Sequence, residues 1–144
     1  MDQRTLLPLP WLPVLETGNP AIDRQHQELI DDANTVQALV VREGAWTELV
    51  AAIGKMHRDC AIHFADESKL LAASNYADAA EHALEHQRIL GEIGQIHGIV
   101  RSAPTPTRYH WELALTVRSL LVDHFLRYDL RYKSHLMYMA PYGP

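Results

Sequence analysis

Only one cysteine, Cys60, occurs in the 144 residues. No internal disulfide can form, and the chain reads as a protein of a reducing compartment, with a cytoplasmic location expected. Long apolar runs are also missing: none approaches the roughly 20 residues that cross a bilayer as a helix. Positive charge is in deficit, 13 Lys and Arg against 18 Asp and Glu for a net −5. That balance argues against nucleic acid or an anionic membrane as a partner. The opening stretch MDQRTLLPLPWLPVL is interrupted by Pro8, Pro10 and Pro13. It has neither a long apolar core nor a small-residue cleavage site, so it is not read as a signal peptide. Strand signal is negligible, and no repeat, low-complexity tract or shift in composition marks a second domain.

What the chain has in excess is histidine, nine residues. Their setting is helical. Residues 1–18 are expected to form an extended arm, since its prolines forbid a regular helix, and Trp11, Leu12, Val14 and Leu15 are apolar enough to pack it on the domain that follows. Asn19-Pro20 is a helix start, a capping residue followed by proline at the first helical position. The first helix is predicted from about Pro20 to Arg42, with Ile22, Leu29, Ala33, Val36 and Val40 on one stripe, His26 among them, and Gly44 closing it. A second helix is predicted from Thr47 to Ala73, with Leu49, Ile53, Met56, Cys60, His63, Phe64, Glu67, Leu70 and Leu71 inward. Ser74-Asn75 is the turn. The third runs from Ala77 to Arg101, and its Gly91, Gly94 and Gly98 suggest close helix packing. Ala103-Pro104-Thr105-Pro106-Thr107 is a loop, and the fourth helix covers Thr107 to Met139. Four amphipathic helices with short connections predict an all-α, up-down-up-down four-helix bundle over residues 19–140.

In such a bundle, His26 early in helix one, His63 late in helix two, and His82 and His86 early in helix three lie at one end. His124 in helix four reaches the same layer. Any one of these, taken singly, reads more plainly as a core histidine with a satisfied hydrogen bond. Five in one layer is different, because every ring nitrogen needs a partner in a low-dielectric interior. A metal takes up one lone pair from each ring and leaves the other nitrogen for a neighbouring group.

Two carboxylates complete the set. His63 and Glu67, like His82 and His86, are four apart and converge on one helix face. Asp129 follows His124 by five residues, about 140° round a regular α-helix. A π-type widening is therefore predicted between them. Five imidazoles and two carboxylates are too many for one tetrahedral zinc. They suit two octahedral-type ions bridged by the carboxylates with one position open, and ligand type alone leaves iron, copper, nickel and zinc as candidates. The other common bundle site uses Glu-x-x-His, which this chain lacks.

The pattern resembles the hemerythrin family, specifically the single-domain bacteriohemerythrins. The resemblance rests on His26 within Thr17-Gly18-Asn19-Pro20-Ala21-Ile22-Asp23-Arg24-Gln25-His26, then His63-x-x-x-Glu67, His82-x-x-x-His86 and His124-x-x-x-x-Asp129, and it covers Trp11 to Tyr132. The chain departs from the family in its proline-rich arm, the stretch Arg101 to Tyr109, and the His-Phe-Leu-Arg-Tyr-Asp run. The resemblance implies a non-haem di-iron centre with an oxo or hydroxo bridge. His82, His86 and His124 would hold one iron, His26 and His63 the other, and Glu67 and Asp129 would bridge both. It further implies reversible binding of dioxygen, end-on to the open iron as a hydroperoxide, in a carrier, store or sensor rather than an enzyme. A weak peroxidase-type activity, a di-iron scavenger of nitric oxide or peroxide, and an iron reservoir are the competing readings. With no signalling module in the chain, carriage or storage is favoured over sensing. The partners implied are dioxygen and an unidentified oxygen-consuming acceptor protein.

Phe64, Ile22, Leu121 and Leu126, each within four residues of a ligand position, are candidates to wall an oxygen pocket; plain core packing is the simpler reading of each. Asp23 is a candidate to support His26 or to face the helix dipole. His57, His97, His110 and His135 are not expected to bind metal. Cys60 is expected to fill the core.

Overall fold

The computed structural model describes residues 8–103 and 105–139. The first seven residues of the arm, Pro104 of the loop and residues 140–144 lie outside that description. A 3-10 turn at Pro13–Leu15 is followed by α1 (Pro20–Val41), α2 (Trp46–Ala73), α3 (Ala79–Arg101) and α4 (Arg108–His124). A π-helical turn, Phe125–Asp129, then leads into α5 (Leu130–Met139), so the predicted fourth helix is one continuous rod with a widened turn in it. No strand occurs among the described residues. No helix among them is long and apolar enough to cross a membrane.

The helix ends follow the local chemistry read from the sequence. The Asn19 side chain accepts from the backbone N–H groups of Ala21 and Ile22 at 3.1 Å each, with Pro20 at the first helical position, which satisfies donors that have no partner inside the helix. α1 unwinds through Glu43, at φ 50°, and the Gly44 N–H bonds back to the Leu39 carbonyl at 2.8 Å. Asn75, at φ 58°, turns the chain between α2 and α3, a left-handed conformation that asparagine tolerates better than most residues.

α1 packs on α2 and α4, and α3 packs on the same two helices, closing a four-membered ring. The α1 stripe of Ile22, Leu29, Ala33, Val36 and Val40 is buried throughout. So are Leu49, Ile53, Met56, Cys60 and Phe64 of α2 and Ile89, Ile93 and Ile96 of α3. Burial also raises the Cys60 thiol pKa above its ordinary value, as the core-filling reading expects. The α3 glycines behave differently from the expectation of close packing. Gly91 and Gly98 face open space, and only Gly94 is covered, by the His57 ring 3.4 Å from where a Cβ would stand. The reciprocal contact comes from Gly54 of α2, over which His97 lies at 3.0 Å. Each helix thus seats a histidine on a glycine of the other.

The arm lies along the bundle. Leu9, Trp11 and Leu15 pack against the core, while Leu12 and Val14 stay exposed. Asn34 of α1 pins Leu9 through both its backbone groups, at 2.7 and 2.9 Å. Lys133 of α5 donates to the Val14 carbonyl at 2.8 Å. Asp23 accepts from the N–H and hydroxyl of Thr17 at 2.7 and 2.8 Å, so its carboxylate fastens the arm to α1.

Candidate metal centre

Seven side chains meet in one buried layer. His26 comes from α1, His63 and Glu67 from α2, His82 and His86 from α3, His124 from the end of α4, and Asp129 from the end of the π turn. Their ligand atoms fall into two groups, each compact enough to hold a metal ion. One contains His26, His63, Glu67 and Asp129. The other contains His82, His86, His124 and the same two carboxylates.

Each carboxylate divides its oxygens between the groups. Glu67 Oε2 stands 3.1 Å from the Nε2 atoms of His26 and His63, and Asp129 Oδ2 is 3.2 Å from His26. On the other side, Glu67 Oε1 is 2.7 Å from His82 Nε2 and 3.0 Å from His86 Nε2. Asp129 Oδ1 is 3.0 Å from His124 and 3.2 Å from His82. Two histidines thus face one side of the carboxylate pair and three face the other.

The π turn makes this possible. The extra residue in the turn between His124 and Asp129 returns two positions five apart to one face. The widening predicted from the spacing is present over Phe125–Asp129. It also sorts the residues between. Phe125 and Asp129 are buried, whereas Leu126 is 57% exposed and does not join the cluster. The expectation that Leu126 walls the site rested on its nearness in sequence to His124 and Asp129, which does not fix its direction. The wide turn sends it outward, and Phe125 takes the place, its ring 4.7 Å from that of His26. Phe64, Ile22 and Leu121 are buried, and Phe64 lies flat on His86 at 4.0 Å.

Whether a metal suits these residues is decided by what the donor atoms lack. His124 Nε2 and both oxygens of Asp129 are buried with no hydrogen bond, although they stand only 3.0–3.2 Å from neighbouring polar atoms. Within each group the ligand atoms all lie within 4.8 Å of one another. Donors about 2.1 Å from a shared ion and at right angles are about 3 Å apart, and the spacings here match. Orphaned buried polar atoms cost free energy that an ion would remove. The donor set therefore fits a metal on each side.

Burial alone would lower the His26 pKa, but the carboxylates of Asp129 and Glu67 beside it outweigh burial and raise it to about 10. The same balance lifts His82 to about 9. Burial also pushes Glu67 upward, yet contacts from four imidazoles hold it well below the carboxylate range. Asp129 is likewise held low, by His124 and His26, against burial and the charge of Glu67. For His86 burial wins and its pKa falls.

Around the donors lies a set of residues that sequence reasoning missed. The Tyr132 hydroxyl donates to Glu67 Oε2 at 2.6 Å, fully buried. Gln25 Oε1 accepts from His63 Nδ1 at 2.8 Å while its amide N–H donates to Asp66. Ser68 Oγ lies 3.0 Å from His86 Nδ1. Tyr128 stacks on the His124 ring. Gln25 and Ser68 are each adjacent in sequence to a donor, and Tyr132 is three after Asp129, which is the only sequence signal they carry. The four other histidines are absent from both groups. His57 meets the Leu90 carbonyl, His135 that of Ser74, and His110 Nδ1 accepts from the Thr107 N–H at the start of α4.

Known proteins are similar to this chain in sequence. The chain is 26% identical over 129 residues to hemerythrin of Phascolopsis gouldii, covering 90% of this chain and 94% of that one. It is 24% identical over 125 residues to the bacteriohemerythrin of Clostridium acetobutylicum, covering 85% and 96%. The model of the hemerythrin HHE cation-binding domain matches residues 17–136, a span that contains all seven donors, the π turn and Tyr132. The chain belongs to the hemerythrin family of cation-binding helical domains.

Proposed function

We propose that this chain binds dioxygen reversibly at two iron ions, with His26 and His63 holding one, His82, His86 and His124 the other, and Glu67 and Asp129 bridging both. The observation that carries the reading is the division of each carboxylate's two oxygens between a two-histidine and a three-histidine side. Two equivalent mononuclear sites would not share both carboxylates, and the side with fewer imidazoles is the one with room for a small ligand. Ferrous ions held there, with an oxo or hydroxo bridge, would supply the electrons that let dioxygen bind and leave again.

The residues of the chain account for the rest. Five of seven donors are neutral, so the set stabilises a highly charged oxidised state less than a carboxylate-rich one does. Gln25 and Ser68 hold the rings of His63 and His86 through their far nitrogens, which fixes which nitrogen faces the centre. The Tyr132 hydroxyl donates a hydrogen bond to the oxygen of Glu67 on the two-histidine side. Phe64, Ile22 and Leu121 supply an apolar wall that excludes water. The void against His26 and Asp129 measures about 10 Å³, at the lower limit for one water-sized molecule, so an organic reductant has no room beside the donors. That favours a carrier, store or sensor over a peroxidase. The reading extends to a bundle domain over 19–140 with the arm of 1–18 packed on it, a cytoplasmic location consistent with buried, unpaired Cys60, and an acceptor protein that consumes the oxygen delivered.

The test is to load iron, reduce without air, admit air and follow the visible spectrum. A coloured form that bleaches under vacuum is the expected result. Immediate, irreversible oxidation of the metal would sink the reading. His82→Ala should end loading at two irons per chain; retention of two would contradict the donor assignment.

A further inference from the structure

An apolar crevice of about 150 Å³ opens between the arm and the bundle. Its walls are Leu9 and Leu12 of the arm, Ile30 of α1, Val122 of α4 and Leu126 of the π turn. A second void of about 10 Å³, lined also by Trp11 and Thr17, lies against His26 and Asp129. Leu15 and Phe125 line both spaces. Those two side chains are therefore the partition between an apolar surface crevice and the donor atoms.

We propose that this crevice is the entry port for dioxygen, and that Phe125, closing against Leu15, is the gate into the site. The proposal rests on the oxygen-binding reading above. Three features support it. First, the crevice walls are all apolar side chains, a lining that offers water no side-chain partner and favours an apolar gas. Second, the outer wall is fixed: the arm is fastened at Leu9, Val14 and Thr17, and Pro10 and Pro13 stiffen the span between. The crevice thus persists, and passage requires movement only of the partition. Third, the Phe125 half of the partition belongs to the π turn, whose wide geometry sends Phe125 inward beside His26 and Leu126 outward to the rim. The port leads to the His26 side, the two-histidine side. The same turn that brings His124 and Asp129 together builds the gate.

Leu126→Trp tests this without touching a donor, since the rim residue is more than half exposed. A bulky ring over the mouth should slow dioxygen association and dissociation together, by about tenfold each, and leave their ratio unchanged. Leu12→Trp, from the arm side of the mouth, should do the same. Unchanged rates in both variants overturn the port. So does a changed affinity with unchanged association. A second readout needs no metal: crystals of the metal-free protein under xenon should show the gas in the crevice, and Leu126→Trp should lose it. Absence of xenon from the wild-type crevice overturns the proposal. If the iron-loaded wild type fails to bind dioxygen at all, the functional reading falls, whereas normal binding with unaltered rates in the variants removes the port alone.

Discussion

Replacing Tyr132 with phenylalanine deletes one buried hydroxyl and leaves the ring that packs with Leu71 and Leu136. The hydroxyl donates to Glu67 Oε2 at 2.6 Å, and burial raises the phenol pKa so far that the proton stays in place. A hydrogen bond to a charged partner contributes about 1.5–3 kcal/mol, and Glu67 is ionised among its imidazoles. The metal-free variant should therefore lose stability of that order in urea denaturation. The effect on metal should be one-sided. Oε2 is the oxygen that faces His26 and His63, while Oε1 faces His82 and His86. Competitive titration with a chromophoric chelator should show one metal equivalent weakened by about 10–100-fold, the range for a lost supporting contact, and the other nearly unchanged. Tyr132→Phe with unaltered stability and two unaltered affinities would refute the positioning role. Equal weakening of both equivalents would refute the division of the carboxylate oxygens.

Leu121→Ala, at a fully buried position one turn before His124, should cost about 2–5 kcal/mol of stability and speed oxidation of the iron-loaded protein in air; an unchanged oxidation rate would remove Leu121 from the oxygen pocket. Deleting exposed Arg127 from the π turn leaves His and Asp four apart, so a regular helix should restore their convergence and keep two metals per chain. Adding one alanine there should abolish loading, and the reverse pair of outcomes would show that the wide turn is not what aligns them. Away from the site, burial, with help from Asp59 and against Lys55, raises Asp32 from 3.8 to about 6. The folded state then binds the proton more tightly than the unfolded chain, so Asp32 makes stability rise as pH falls from about 6 to about 4. Asp59 is shifted the opposite way, first by its bond to Asp32, and its contribution fades only below its ordinary pKa. Chemical denaturation of Asp32→Asn across this window should show the rise flattened; an undiminished rise would assign it to other groups.

Much of the site was legible because helix geometry is local. Two residues four apart share a face wherever the helix lies, so His63 with Glu67 and His82 with His86 were pairs before any tertiary contact was known. The five-residue interval from His124 to Asp129 was legible as a misfit, and the misfit required a π turn. Nearness in sequence failed as a guide for Leu126, because the π turn sends it outward although it stands within four residues of two donors. Tyr132, Gln25 and Phe125 were missed for another reason. A tyrosine, a glutamine and a phenylalanine beside donors are chemically unremarkable until the partner across the bundle is known.

The sequence by itself determined the helices, their buried stripes, the capped start at Asn19 and the seven candidate donor positions, since each depends on residue type and spacing along one segment. The division into two and three histidines was implied by the family resemblance, and the tertiary structure decided which atoms carry it. Which oxygen of Glu67 faces two histidines and which faces three, and that Tyr132 sits on the first, depends on how α1, α2, α3 and the π turn converge. So does the crevice beneath the arm, whose walls come from three segments separated by more than a hundred residues at the extremes. Spacing places a side chain on a face; packing chooses what that face meets.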